Sequence, residues 1–232
     1  MGAQGAFHVG GYVLAGGRSS RMGTDKALLE LGGKPLIEHA VGKLRRLCAE
    51  VHILSSNAGL AQFAPLVPDI HPGCGPIGGM EAALLWSTYD WNVFLAVDMP
   101  FLPTAFIQHW MREWMAQPDE GARVRMFTAD GRPQPGFCVL HKEVAPFLFA
   151  AIRQDEFKLM PVFEAAGREL ADRRGLPAGR GLWNRPVPAG AGAADVGSIL
   201  PAQRAAEHLW FANLNTLEDF AEAEANLDAL DR

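Results

Sequence analysis

The apolar positions of the chain fall into two alternating spacings. Tyr12-Val13-Leu14-Ala15 is a short continuous apolar run that closes on Gly16-Gly17, which predicts a buried strand feeding a tight loop. From Pro35 to Cys48, residues Leu36, Ile37, Ala40, Val41, Leu44, Leu47 and Cys48 recur at helical spacing, with Arg45 and Arg46 on the wet side. Val51-His52-Ile53-Leu54-Ser55 predicts the next strand and Gly79 to Tyr89 the next helix. Val93-Phe94-Leu95-Ala96-Val97 is apolar throughout, as in a strand covered on both faces. Thr104 is the expected N-cap of a helix reaching Met115. Val124 to Thr128 and Phe137 to His141 predict a pair of strands. Helices are expected from about Lys142 to Arg153 and from about Phe157 to Ala166, with Pro146 and Pro161 near first turns, where proline is tolerated. Leu209 to Asn213 reads as a late strand. Thr216 then caps a final helix that carries Asp219 in its first turn.

Strand following helix in this order predicts an α/β fold: one domain over residues 1–232, with a mostly parallel, Rossmann-like sheet and helices on both faces. In such sheets ligands sit beyond the carboxyl ends of the strands. The residues just after Ala15, Ser55, Val97 and Asn213 are therefore expected to line one site. The stretch from Arg173 to Ala206 breaks the rhythm. It is rich in Gly, Pro and Ala and is expected to be a surface insertion within the domain. If it serves as a lid or partner contact, Trp183 and Arg180 or Arg185 are its tips.

Composition narrows the class. Hydrophobic residues make up 49% and charged residues 20% of 232, so the chain can bury a continuous core without staples. The net charge of −5 argues against nonspecific binding to nucleic acid or anionic membrane, yet leaves room for a small basic pocket. Cys48, Cys74 and Cys138 form no CxxC pair, so a reduced, cytoplasmic protein without a disulfide framework or zinc site is expected. The N-terminal residues lack the basic start of a signal peptide, and no apolar run reaches the roughly 18 residues of a membrane span.

Three segments carry candidate chemistry. The first runs from Leu14 to Lys26, LAGGRSSRMGTDK. Glycine lets backbone approach a ligand, successive N–H groups make a concavity for phosphate oxygens, and Arg18, Arg21 and Lys26 supply neutralising charge. It is not a Walker A loop, because GxxxxGK[ST] is absent. The second is Asp98, directly after a buried strand. A lone carboxylate there suits Mg²⁺, which takes the rest of its oxygens from water and phosphates; the other reading is an Asp that caps its own turn. The third is the loop from Val67 to Met80, which contains GxGxxG at Gly73, Gly75 and Gly78. Asp-Ile-His-Pro separates it from the preceding strand, so it reads as a loop leading into a helix whose N-terminus faces the site rather than as a dinucleotide fingerprint. Asn57 is either a ligand contact or a turn residue, and helix capping explains at least one of Asn213 and Asn215. No HExxH and no GxSxG occurs, which argues against a catalytic zinc or a hydrolase of the nucleophile-elbow kind.

Leu14 to Lys26 closely resembles the nucleotidyltransferase signature LAGGxSxRMGxDK, and Ala27 to Ile37 continues it. The glycine pair at Gly16-Gly17, the GPIGGM at Gly75 to Met80 and the closing FANLNTLEDF at Phe211 to Phe220 resemble the molybdenum cofactor guanylyltransferases within that superfamily. Leu217 stands where NTPED carries proline. The resemblance implies a nucleotide-diphospho-sugar-transferase-like fold and a reaction: GMP passes from GTP to the phosphate of molybdopterin, and pyrophosphate leaves. By position in the motifs it implies that Leu14, Ala15, Gly16 and Gly17 contact the nucleotide, that Lys26 binds phosphate, and that Asp98 holds Mg²⁺. It also implies that Asn57 and Asp69 bind GTP. Arg21, Arg132 and Gln134 are candidates for the phosphate or acceptor side, with Lys158 behind them. GTP, the molybdenum cofactor and molybdoenzyme apoproteins or their chaperones are the implied partners. A related enzyme using CTP or another phosphorylated acceptor is the alternative. A noncatalytic nucleotide-binding module and a nicotinamide dehydrogenase are readings from other classes.

Overall fold

A computed structural model describes residues 6–16, 25–116, 121–177, 180–186 and 198–231. Gly17, Arg18 and Arg21 lie outside the described residues. The chain opens with strand β1 (Phe7–Leu14), longer than its apolar run because Gly10 and Gly11 continue it. Those glycines serve close approach. A Cβ on Gly11 would lie 2.9 Å from the Cys48 sulfur on the neighbouring strand. A two-stranded hairpin, β2 (Glu30–Leu31) and β3 (Lys34–Pro35), leads into helix α1 (Leu36–Arg45). The helix stops before Leu47 and Cys48, which its spacing had included, because β4 (Cys48–Leu54) begins pairing there, opposite Phe7.

Short β5 (Leu66–Val67) precedes α2 (Pro76–Trp86). That helix starts three residues before the expected Gly79, with Pro76 at its first position, where the missing N–H has no partner to lose. Then come β6 (Trp91–Ala96) and α3 (Thr104–Met115). The hairpin β7 (Val124–Ala129) and β8 (Arg132–His141) follows, then α4 (Ala145–Ile152) and α5 (Leu159–Asp172).

The sheet order is β5-β4-β1-β6-β8-β7, with β9 (Leu182–Pro186) at the far edge. β5, β4, β1 and β6 run parallel. β8 alone opposes its neighbours. Helices α1 and α3 cover one face through Ile37, Leu44, Ile107 and Trp110, and α2, α4 and α5 cover the other through Met80, Leu148 and Phe163. Tyr12 packs between its cross-strand neighbours, with ring centroids 5.7 Å from His52 and 5.5 Å from Phe94.

Three expectations are corrected. Thr104 is not the N-cap of α3. It is the first helical residue, and the carboxylate of Asp231 caps the helix by accepting the Thr104 N–H at 3.1 Å and its hydroxyl at 2.5 Å. Leu209 to Asn213 forms no strand. Leu209, Trp210 and Phe211 all bury their side chains through a tight turn of i→i+3 hydrogen bonds, which two-fold alternation would not allow. The 173–206 stretch is not an excursion throughout: Leu182–Pro186 pairs in parallel with β7, and α6 (Pro201–Ala205) buries Gln203. The final helix, α7 (Leu217–Glu224), is capped by Thr216 and Asp219 in reciprocal bonds, as the sequence indicates.

Candidate active site

Four parallel strands end level. Leu14 is opposite both Leu54 and Ala96, and Leu54 is opposite Val67. The residues that follow them surround a cleft of about 470 Å³ bordered by Leu14, Ala15, Gly16, Ser55, Asn57, Asp69, Gly73 and Gly75. Ala15 is tied to the next strand by its N–H, which donates to the Leu54 carbonyl at 3.3 Å. Five of the expected nucleotide contacts, Leu14, Ala15, Gly16, Asn57 and Asp69, thus share one concavity at the strand ends.

Lys26 and Asp98, 72 positions apart, meet beyond the same strand ends. The Lys26 Nζ donates to Asp98 Oδ2 at 2.6 Å and to Asn215 Oδ1 at 2.7 Å. Asp98 follows β6, and Val97 donates its N–H to the Leu14 carbonyl at 3.1 Å, which fixes the acid beside the start of the glycine loop. Its carboxylate bonds a lysine rather than the backbone of its own turn, so the turn-capping reading does not hold. Leu214 donates its N–H to the Asp98 carbonyl at 3.1 Å and delivers the Asn213–Asn215 segment to the pair.

One residue of this network, Asp25, is not singled out by the sequence motifs. Asp25 caps the short turn that carries Lys26, accepting the Ala27 N–H at 3.0 Å, and its other oxygen accepts from Asn57 Nδ2 at 2.6 Å. The signal was present, since an Asp directly before a short apolar turn is an N-cap pattern. Asn57 proves to be a turn residue as well as a cleft residue: its Oδ1 accepts the Gly59 N–H at 2.9 Å. Asn215 does not cap α7; Thr216 does. The Asn215 N–H instead donates to Asp219 Oδ2 at 2.6 Å, which leaves its side chain for Lys26. That backbone N–H, joined by the one of Thr216, holds the Asp219 carboxyl below the usual carboxylate range.

Asp69 lies against the first turn of α2, where the absent Cβ of Gly79 leaves it room; a Cβ there would stand 3.3 Å from Oδ1. Partial burial raises its pKa above that of a free carboxylate. The Gly73–Gly78 segment follows β5 only after an intervening loop, as the sequence implied, so it does not have the strand-to-glycine junction of a dinucleotide fold. Arg132 and Gln134 open β8 on the strand-end side, where neighbouring Gly136 passes Met99 and Ala96. Among the described residues no hydrogen bond or ion pair joins either to Lys26 or Asp98. Gln134 Nε2 donates to the Arg132 carbonyl at 3.3 Å. Lys158 precedes α5 without a side-chain capping bond, its N–H donating to Glu156 Oε1 at 2.9 Å, and is not brought into this network. No group of three or more His, Cys, Asp or Glu among the described residues could hold a metal, and no described helix is long and apolar enough to cross a membrane.

This fold recurs in solved structures. The molybdopterin-guanine dinucleotide biosynthesis protein A of Archaeoglobus fulgidus superposes with a TM-score of 0.70 at 24% identity, over 96% of this chain and 100% of that one. In sequence the chain is 34% identical to a molybdenum cofactor guanylyltransferase of Serratia proteamaculans, covering 69% of this chain and 82% of the relative. It is 30% identical to the one of Rhizobium johnstonii over 96% of this chain and 95% of the relative. These relatives define the class: the protein is a nucleotidyltransferase. Residues 11–170 match the MobA-like NTP transferase domain, and the chain belongs to that family.

Proposed function

We propose that this chain transfers GMP from GTP to the terminal phosphate of molybdopterin, within one nucleotidyltransferase domain over residues 1–232. The observation that carries the reading is the meeting of Lys26 and Asp98 at 2.6 Å beside the strand-end cleft. The names of the sequence relatives support guanine and the pterin acceptor.

In this reaction a phosphate oxygen of the acceptor forms a bond to the α-phosphorus of GTP. The bond from that phosphorus to the bridging oxygen of the β-phosphate breaks, and pyrophosphate carries away the electron pair. Two anions must approach in line, so positioning and charge neutralisation carry the catalysis. The backbone of Leu14 to Gly16 approaches the nucleotide, and Lys26 neutralises phosphate oxygens. Asn215 and Asp98, both acceptors for the Lys26 ammonium, aim it. The Asp69 carboxylate accepts from guanine N1–H and N2–H₂ together, a pairing that cytosine and adenine do not offer.

Asp98 with the amide oxygen of Asn215 close by is an all-oxygen donor set. It fits a cation that takes one or two protein oxygens and leaves its other positions to phosphate and water, and it lacks the nitrogen and sulfur ligands that zinc selects. Mg²⁺ held by Asp98 would supply charge neutralisation at the phosphates.

Turnover of GTP against CTP with molybdopterin and Mg²⁺, read as pyrophosphate release, tests the proposal. GTP is the expected substrate, and Lys26→Ala and Asp98→Ala are each expected to lower kcat by about 10²-fold or more. Preference for CTP would establish the cytidylyl alternative, and GTP binding without pyrophosphate release would establish a noncatalytic module.

A further inference from the structure

Glu81 is a carboxylate with 1% of its surface exposed, on α2 and outside the Lys26–Asp98 network. One oxygen, Oε2, accepts from His71 Nδ1 at 2.8 Å; the other, Oε1, is buried with no hydrogen-bond partner among the described residues. A buried carboxylate is a poor choice for stability, since an apolar residue of similar volume is often neutral or better. Its partner explains its presence. His71 stands in the middle of the loop between β5 and α2, and Asp69, Gly73 and Gly75 of that loop border the cleft.

The loop runs alongside the first turns of α2. Asp69 meets Gly79, and the His71 carbonyl lies 3.0 Å from where a Cβ on Gly78 would stand. The His71 ring reaches Glu81 and packs on Phe149 of α4, with centroids 5.9 Å apart. Beyond His71, Cys74 is half-buried against the core, while Pro72, Gly73 and Gly75 are exposed. Gly73 and Gly75 have φ of +89° and +67°, with no described residue within 4 Å of where a Cβ would point.

We infer that His71 and Glu81 are positioning residues for the nucleobase: the pair pins the Asp69–Gly75 loop to α2, so that the Asp69 carboxylate and the peptide groups at Gly73 and Gly75 meet the base in a fixed arrangement. The inference rests on the proposed function, because it takes the occupant of that wall to be the base of GTP. The pair touches neither phosphate nor acceptor, so its loss weakens GTP recognition and leaves the chemical step.

The test is steady-state kinetics with GTP and with CTP, alongside thermal melting, for the wild type, His71→Ala, His71→Asn, Glu81→Met and Glu81→Gln. With the loop unpinned, His71→Ala and Glu81→Met are expected to raise the KM for GTP about tenfold, narrow the GTP-over-CTP ratio and leave kcat within about twofold. His71→Asn places an amide N–H where Nδ1–H stood, and Glu81→Gln keeps an acceptor oxygen, so both are expected to stay near the wild-type KM. Glu81→Met is expected to melt at or above the wild-type temperature, which separates loss of positioning from loss of fold. A Glu81→Met enzyme with wild-type KM and wild-type base preference overturns the inference, and so does a parallel fall of kcat and melting temperature. A wild type that turns over no GTP removes the proposed function itself, and the inference with it.

Discussion

At the scale of single residues, the site is built from side chains whose hydrogen bonds are already committed. Lys26 divides its ammonium between Asp98 and Asn215, and Asn57 divides its amide between Asp25 and Gly59. Shared groups of this kind lose direction when one partner goes. Asn215→Ala leaves Lys26 to Asp98 alone and is expected to lower kcat/KM for GTP by about tenfold, a milder loss than removal of the lysine. Asp69 gives a second readout. Burial raises its pKa, so on acidification it takes up its proton at a higher pH than a free carboxylate does. In the proposed reading, base recognition needs the ionised form. The KM for GTP is therefore expected to rise with falling pH, beginning above the ordinary carboxylate range, and Asp69→Asn is expected to abolish that dependence along with most of the GTP-over-CTP preference.

At the scale of elements, Asp231 does more than cap α3. Its carboxylate also accepts from Lys43 Nζ of α1 at 2.6 Å and from Gln203 Nε2 of α6 at 2.9 Å, joining three helices. Lys43 has only 2% of its side chain exposed, so it depends on this partner. Asp231→Ala is expected to cost about 3–5 kcal/mol in urea denaturation, and adding Lys43→Met is expected to restore the part due to the unpaired buried charge, while the lost α3 cap and Gln203 bond remain. This knot also shows what the sequence hid. A Thr before an apolar helix reads as an N-cap, but the group that caps α3 arrives from 127 positions away. Residues Arg132 to Gly136 did not read as strand, since Pro133 and Pro135 interrupt them. They are tolerated because β6 pairs with β8 only from Phe137 to His141, leaving that start of β8 with one neighbour. β9 carries no alternation that would separate it from its Gly/Pro-rich surroundings. By contrast, the strands ending at Leu14 and Ala96 are legible as apolar runs and the one ending at Leu54 as an apolar stretch broken by His52, and the convergence of Lys26 with Asp98 is legible because ligands and their residues gather at strand ends in a parallel sheet. Asp25, Asn215 and the His71–Glu81 pair were not legible as partners, since nothing local in the chain states which distant side chain each one meets.

At the scale of the whole molecule, one buried ring makes the fold sensitive to acid. Burial pushes His141 down to about 4, beside the Trp91 ring at 4.9 Å between centroids. The Glu143 carboxylate lies 2.9 Å from its Nδ1, but that carboxylate also holds Arg123 at 2.7 Å and Arg174, and burial prevails. The folded state keeps the ring neutral while the unfolded chain protonates it near 6.5, so between about 4 and 6.5 the unfolded state binds more protons. Stability is then expected to fall on acidification across that window, by up to about 3 kcal/mol from this group, and melting temperatures measured from pH 7 to 4 should show a shallower slope in His141→Gln. Asp231 adds to the loss lower down. Burial raises its pKa, but Lys43 and the hydrogen bonds to it outweigh that, so its contribution disappears only as pH drops below the ordinary carboxylate value. The acceptor that shares Lys26 has a consequence for anyone trimming this protein. The match to the family domain ends at residue 170, whereas Asn215 joins Lys26 from 189 positions downstream. A fragment cut at that border would retain every strand lining the cleft and still lack the amide that aims its lysine and the carboxylate that balances Lys43.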